Sequence, residues 1–423
     1  MLVQGKGEAF AQRSSELAGP LRANVSPPLR ILAIAPTSFF ADYGCHVRIL
    51  QQTLALQSRG HQVQLLTYPT GRDMARMEIS RARGWPGLRG LQIGPHPAKI
   101  PLDVSLLAHS LAYTRRSRPD LVYAYLHEGA LIGHFVARKL GVPLLFDFQG
   151  SLAGELAGHG WLKSGRLAYR LARRVERWIH RRADAILCSS EHAVTALQQE
   201  GDARRLSALP DCVDTAFFDP GRLNPASQAT LRERLRIPPG REVVAYLGLL
   251  GEHQGISHLL RAAAVWPPDA PEVHFLVMGY PRVETYKRMA AQLGVGDRVT
   301  FTGKVAYEDA PLYLSLGDVA AAPKVSDSEG HGKLLNYMAM RLPTAAFDTP
   351  VSREYLADLG RYAPLGDAAA LARALADLLA SQNHRAIGEA LRRRAEERFS
   401  CEALGAELES VLLSVAQRVQ EEG

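Results

Sequence analysis

Short apolar runs recur along this chain, and most end in a glycine, a proline or a polar cluster. The first, Arg30-Ile-Leu-Ala-Ile-Ala-Pro36, reads as a buried strand. Residues 46–59 then place Val47, Leu50, Leu54 and Leu56 on or near one helical face, and Gly60 closes that helix before a strand at 62–67. Further strands are predicted at 120–125, ending in His127-Glu128-Gly129, at 142–148, ending in Gln149-Gly150-Ser151, and at 183–190. The second half repeats the alternation, with strands at 242–248, 273–279, 298–303 and 318–323. Strand, loop and helix in regular succession predict an α/β protein of two doubly wound, Rossmann-like halves. In such sheets ligands sit beyond the strand C-termini, so the tips at 127–129 and 149–151 are candidate site positions.

One stretch carries more chemistry than the rest: PKVSDSEGHGKLLNYMAMRLPTAAFDTP, residues 323–350. Gly330 and Gly332 open a loop after the strand, and residues 333–341 read as a helix ended before Pro343. Leu335, Met338 and Ala339 fall at i, i+3 and i+4 and can face a core. Strand, glycine loop and helix start together make an anion site. Glu329 and His331 lie in the loop, Lys333 in the first turn and Lys324 at the strand end, a set suited to a diphosphate joined to a polyol. An ordinary strand–turn–helix crossover is the competing reading.

The length, 423 residues, is enough for two domains, and 47% hydrophobic with 22% charged residues is an ordinary globular composition. A net charge of +7 permits acidic partners, and equally a generally basic protein. Four cysteines, Cys45, Cys188, Cys212 and Cys401, stand far apart with no CxxC pair, which argues against a zinc site and fits a reducing compartment. No apolar run has transmembrane length, and residues 1–28 lack the apolar core of a secretory signal, so they read as a mobile tail. Residues 69–101 are basic and irregular, with Trp85 among Arg72, Arg76, Arg81, Arg83, Arg89 and Lys99. Residues 163–182 form a helix with two stripes. Leu167, Leu171, Val175, Trp178 and Ile179 are expected to pack on the sheet. Arg166, Arg170, Arg174, Arg177 and Arg181 face either solvent or anionic headgroups. Residues 217–240 read as a connection rich in Pro and Arg.

EGHGKLLNYMAMRLPTAAFD resembles the nucleotide-sugar signature of the GT4 glycosyltransferases, retaining enzymes of the GT-B fold. Glu329-Gly330, Gly332, Tyr337-Met338-Ala339, Leu342-Pro343 and Ala345-Ala346 match that pattern. The resemblance places Glu329 near the donor sugar hydroxyls, and Asn336 where the family has a glutamate for the ribose. Asn still bonds a hydroxyl, without charge assistance. Asp42, Tyr43, Gly44 and His46 fall where the family's glycine loop faces the acceptor. Gln149 stands where the family has a histidine at the transferred sugar, followed by Gly150, and His127 at the neighbouring tip is a candidate to fill that space. Residues 209–214, LPDCVD, match the family's interdomain segment. After Gly248 the family clamps the diphosphate with an Arg and a Lys; this chain has Leu249 and Gln254 there. A departing diphosphate needs charge neutralisation, and Lys333, Lys324 and more weakly His253 are the substitutes at hand. The closing segments at 362–380 and 399–401 also resemble the family's.

The resemblance thus implies a GT-B fold, two Rossmann-like domains facing across a cleft. Its parts would be a tail at 1–28, an acceptor-side domain at 29–212, a nucleotide-sugar domain at 213–398 and a last helix at 399–423 crossing back. It implies retaining transfer from a UDP- or GDP-sugar to a glycan or lipid-linked acceptor, by front-face attack, with no metal and no cofactor. Catalytic candidates are Glu329, His127 and Gln149. Donor candidates are Gly248, Lys324, Gly330, His331, Gly332, Lys333, Leu334 and Asn336, and acceptor candidates are Asp42, Tyr43, Gly44, His46 and Gly150. The expected partners are donor, acceptor and an anionic membrane surface at the inner face of a cytoplasmic location, with no nucleic acid. Four departures, Gln149, Leu249, Gln254 and Asn336, favour the alternative, a GT-B chain that binds a glycan or partner without turnover.

Overall fold

The structure is a computed structural model and describes residues 27–84, 99–154, 167–201, 205–326 and 330–422. The tail at 1–26, Trp85 and Arg89 in the basic stretch, Arg166 and Glu329 lie outside the described residues. The chain divides into two compact units. Unit 1 comprises Met1–Ala41, Cys45–Leu209 and Leu404–Gly423; unit 2 comprises Asp42–Gly44 and Pro210–Ala403.

Unit 1 alternates β1 (Arg30–Ala35), α1 (Gly44–Ser58), β2 (Gln62–Thr67), β3 (Glu78–Arg81), α2 (Ile100–Tyr113), β4 (Leu121–Tyr125), α3 (Leu126–Leu140), β5 (Leu144–Phe148), α4 (Leu167–His180), β6 (Ala185–Cys188), α5 (Glu191–Gln199) and β7 (Arg205–Ala208). Its seven strands are parallel, in the order β3-β2-β1-β4-β5-β6-β7. The central strands are buried on both faces, which is why they read as continuous apolar runs rather than alternating ones.

Unit 2 continues with α6 (Pro225–Arg234), β8 (Glu242–Leu247), α7 (Ile256–Ala264), β9 (Val273–Met278), α8 (Val283–Gln292), β10 (Val299–Gly303), α9 (Ala310–Leu314), β11 (Val319–Ala322), α10 (Lys333–Ala339), β12 (Thr344–Phe347), α11 (Pro350–Leu356), β13 (Arg361–Ala363), α12 (Ala368–Ala380) and α13 (His384–Arg398). The last helix, α14 (Cys401–Glu422), begins in unit 2 and ends in unit 1. There Glu409 pairs with Arg59 at 2.5 Å and His61 at 3.0 Å. The six strands of unit 2 are parallel, in the order β10-β9-β8-β11-β12-β13. Strand succession reverses between β8 and β11, so the crevice beyond the ends of those two strands is the switch point where such sheets take ligands.

Several expectations need correction. The basic stretch at 69–101 contains an edge strand, β3, and the connection at 217–240 contains a capped helix, α6, whose Asn224 side chain accepts the Ala226 N–H. His127 belongs to the first turn of α3, not to the tip of β4, because the helix starts directly at Leu126. The helix expected at 333–341 stops at Ala339, and Arg341 turns to a left-handed φ of 59° before Leu342-Pro343. Cys212 and Cys401 are joined, with Cα atoms 4.9 Å apart. The tertiary return of the chain to Val213, which bridges Ser400, brings together two cysteines 189 residues apart. Reading four isolated thiols therefore fails at this pair.

The largest correction concerns α4. Of its five-residue apolar stripe only Ile179 packs inward: Leu167, Leu171, Val175 and Trp178 are exposed, and Glu176 and His180 are the other buried residues. Glu176 sets that rotation. One carboxylate oxygen accepts the Leu152 N–H at 3.1 Å, and the other takes Ser151 Oγ at 3.2 Å and Arg173 at 2.6 Å.

Candidate active site

The β8/β11 switch point collects most of the residues expected to bind a donor. β8 ends at Leu247 and leads into Gly248, while β11 ends at Ala322 and leads through Pro323 into Lys324. The β11 run is alanine-rich and fully buried, and it pairs with β8 through Val319–Val244 and Ala320–Ala245. Tyr337 on α10 fixes the helix to the sheet, its hydroxyl accepting the Leu247 N–H at 2.7 Å. That bond holds Lys333, one turn earlier, over the end of β8.

Lys333 crosses to the place where the usual clamp is missing. Its Nζ donates to Gln254 Oε1 at 3.1 Å and lies 4.3 Å from the centre of the Tyr246 ring. Gly248, at φ +148°, leaves room for it: a Cβ there would stand 2.6 Å from Lys333 Nζ. Although part of the Lys333 side chain reaches the surface, this ammonium end is enclosed. Burial and, secondarily, the charge of Lys324 bring its pKa from 10.5 down to about 7. Lys324 is itself buried and donates to the Gly330 carbonyl at 2.7 Å, tying the strand end to the glycine loop. His331, also buried, is held far below the ordinary histidine range, by burial first and then by Lys324 and Lys333. Its Nε2 is buried with no hydrogen-bond partner among the described residues. Two ammonium groups and an orphaned imidazole nitrogen around one strand crossing leave positive charge and polar capacity for an anionic, hydrogen-bonding ligand to satisfy.

Other expected residues fall around this centre. Gly332 leaves space for Asp211, whose carboxylate would meet a Cβ at 3.0 Å. Leu334 is buried, and Asn336 sits one turn beyond Lys333, partly exposed. Leu249, at the position of the absent Arg, offers its carbonyl to the Tyr246 hydroxyl at 2.9 Å. His253 is near through its backbone, its carbonyl accepting the Val325 N–H at 3.1 Å.

In unit 1 the expected residues lie beyond β1, β4 and β5. His46 is fully buried and organises the loop before it, with Nε2 2.6 Å from Thr37 Oγ1 and Nδ1 accepting the Ala41 N–H at 2.7 Å. Gln149 donates to Asp147 at 2.8 Å, and Gly150 follows at φ +152°. Asp147 is bound by Arg48 at 2.6 Å in a buried two-pronged pair. His127 is buried against Phe146 and Phe148, with its Nε2 3.2 Å from His180 and 3.3 Å from Glu176. The ligand atoms of His127, Glu176 and His180 lie within 4.8 Å of one another, and Arg173 pairs with the Glu176 carboxylate at 2.6 Å. Asp42 and Tyr43, with Gly44, belong to unit 2 rather than unit 1. Asp42 has a left-handed φ of 57°, pairs with Lys304 at 2.8 Å and accepts the Tyr307 N–H at 3.1 Å.

Sequence reasoning missed Arg48, Tyr246 and Asp211. Arg48 shares its helical face with Gln51 and Gln52 and gives no sequence signal of its own, and the other two join the site through the packing of β8, α10 and the 210–213 segment.

Two all-parallel α/β units, one with lysines gathered at its switch point, fit a glycosyltransferase of the GT-B fold. Comparisons with known proteins agree. Residues 43–212 match the Glycosyl transferase 4-like domain and residues 227–397 match Glycosyl transferases group 1. The chain belongs to the group 1, GT4 family of glycosyltransferases. The 2-deoxystreptamine glucosyltransferase of Streptomyces kanamyceticus is 29% identical over 316 residues, 71% of this chain and 80% of that one. The 2-deoxystreptamine N-acetyl-D-glucosaminyltransferase of Streptomyces fradiae is 27% identical over 373 residues, 83% of this chain and 86% of that one. Among solved structures, sucrose-phosphate synthase from Thermosynechococcus elongatus superposes with a TM-score of 0.77 at 20% identity, covering 92% of this chain and 99% of that one. Anabaena HepE, solved with UDP-glucose, gives 0.72 at 17% identity, covering 91% and 100%. These structures share the fold. The protein is a GT4 enzyme that transfers a sugar from a nucleotide-sugar. Among the described residues no helix is long and apolar enough to cross a membrane.

Proposed function

We propose that the enzyme transfers a hexose, with retention, from a UDP- or GDP-sugar to a hydroxyl of a glycan or lipid-linked acceptor at the inner face of an anionic membrane. Unit 2 holds the donor. Lys333, supported by Lys324, replaces the missing Arg and Lys of the diphosphate clamp, and Gly248, Gly330, His331, Gly332 and Leu334 shape the space around it. Asn336 bonds the ribose and Glu329 the sugar hydroxyls. Gln149, with Gly150 and the Asp42–Gly44 segment, serves the acceptor and the transferred sugar, while the buried His46 holds the loop before it in shape. Departure of the nucleoside diphosphate places negative charge where the two ammonium groups already stand, which is the electrostatic contribution such a step needs. The donor phosphate takes the acceptor proton, so no protein nucleophile is required.

The observation that carries this reading is the Lys333 Nζ contact with Gln254 at the vacated clamp position. A panel of UDP- and GDP-sugars, read by nucleotide release with and without acceptors, tests it. Glu329→Ala is expected to abolish transfer nearly completely while the fold persists; activity within about twofold of wild type overturns the role of Glu329.

A second acceptor reading has its own support. The relatives' names include 2-deoxystreptamine and D-inositol 3-phosphate, both ring polyols. A soluble cyclitol therefore belongs in the acceptor panel beside glycans and lipid-linked sugars.

A further inference from the structure

α4 presents to solvent what a surface helix ordinarily hides. Leu167, Leu171, Val175 and Trp178 form one row at helical spacing and are 76%, 60%, 45% and 41% exposed. Arg170, Arg174, Arg177 and Arg181 form a second exposed row; the first three each lie one position before an apolar residue of the first. The helix has a single acidic residue, Glu176, and that one is buried against the Ser151–Leu152 backbone, so the outward face carries no negative charge of its own. Arg182 covers the Trp178 ring at 4.2 Å. On neighbouring α3, Phe135 is 48% exposed, and His134 beside it meets Trp178 edge-on at 6.4 Å. A contiguous apolar row of this kind marks an interaction surface rather than a solvated face.

We infer that this face of α4 docks on an anionic phospholipid bilayer. The apolar row enters the headgroup–acyl boundary, with Trp178 at the interface, and the arginine row lies on the lipid phosphates. Charge selects the lipid over a second copy of this chain, because two such faces brought together oppose arginine to arginine. Nothing here rests on the donor site, since none of these residues belongs to it, and the surface is the same whether the acceptor is lipid-linked or soluble.

The test uses the full chain and co-sedimentation with vesicles of phosphatidylcholine alone or mixed with phosphatidylglycerol, at low and high ionic strength. Binding to the anionic vesicles at low ionic strength is expected, weakening as salt rises. Arg170→Gln, Arg174→Gln and Arg177→Gln together should lower partitioning roughly 10²-fold or more. Leu171→Ser with Trp178→Ser should lower it at least about tenfold and remove what survives at high salt. All variants should keep wild-type circular dichroism and nucleoside diphosphate binding, because the replaced side chains are exposed. No vesicle binding by wild type at low ionic strength overturns the inference. So does binding indifferent to Leu171→Ser and Trp178→Ser, which would be adsorption by net charge alone. A protein dimer that the same pair of substitutions dissolves, with no lipid binding, overturns it in favour of self-association.

Discussion

Removing the Lys333 ammonium is the sharpest test of the donor site. In the free protein that group is enclosed by Tyr246, Gly248 and Gln254, with its pKa near 7. A diphosphate oxygen about 4 Å away would interact with it by roughly 4 kcal/mol at an effective dielectric near 20. Because negative charge grows on the diphosphate as the sugar leaves, much of this belongs to the transition state. Lys333→Ala should therefore lower kcat/KM by roughly 10²–10³, while binding of the bare nucleoside changes little. The pH dependence has a definite sign. Diphosphate binding favours the charged lysine and so raises its pKa. Between about 7 and that higher value the complex holds more protons than the free enzyme, and affinity falls as pH rises. Calorimetry in buffers of different ionisation heats should show proton uptake on UDP or GDP binding at pH 8, lost in Lys333→Ala. Lys333→Arg, charged at every accessible pH, should flatten the profile if it binds. Full activity in both Lys333→Ala and Lys324→Ala would refute the clamp assignment, as would pH-independent diphosphate affinity between 7 and 9.

Asn336→Ala should weaken the intact donor by about 1 kcal/mol, the size of one neutral hydrogen bond; titration with the nucleoside diphosphate measures it, and unchanged affinity would take Asn336 off the ribose. Burial alone pushes the Glu176 carboxyl up, but the hydrogen bond with His127 and the charges of His127 and Arg173 outweigh it, and the pKa falls from 4.5 to about 2. The stability it contributes is full above about 4.5 and is lost as pH falls from there through 2. Urea midpoints at pH 7, 4 and 3 should show a decline that Glu176→Gln reduces. Alkylation of the unreduced, denatured protein should label Cys45 and Cys188 and spare Cys212 and Cys401, and labelling of all four would remove the bridge.

Much of this enzyme is written locally. Buried parallel strands are continuous apolar runs, and the glycines and prolines after them mark the turns, so the alternation of β and α was readable, while the short strands β3, β7, β12 and β13 were missed. The glycine loop was equally legible, since Gly330, Gly332 and Lys333 are neighbours in sequence. What depends on distant partners was not legible. Lys333 and Lys324 both stood out in the sequence as substitutes for the clamp, but the contact of Lys333 Nζ with Gln254 follows only from the packing of α10 on β8, which Tyr337 fixes through the Leu247 N–H. Joining of Cys212 to Cys401 requires the chain to return across 189 residues. The rotation of α4 is the clearest case. Hydrophobic periodicity marks which residues of a helix share a face, and it assumes that the apolar face goes inward. Here the Leu152 N–H, the Ser151 hydroxyl and Arg173 all bind the Glu176 carboxylate, and that buried cluster outweighed the preference of four apolar side chains for the interior. Periodicity counts apolar surface; it has no access to an unsatisfied N–H two elements away, and that is what decided which side of this helix meets the outside.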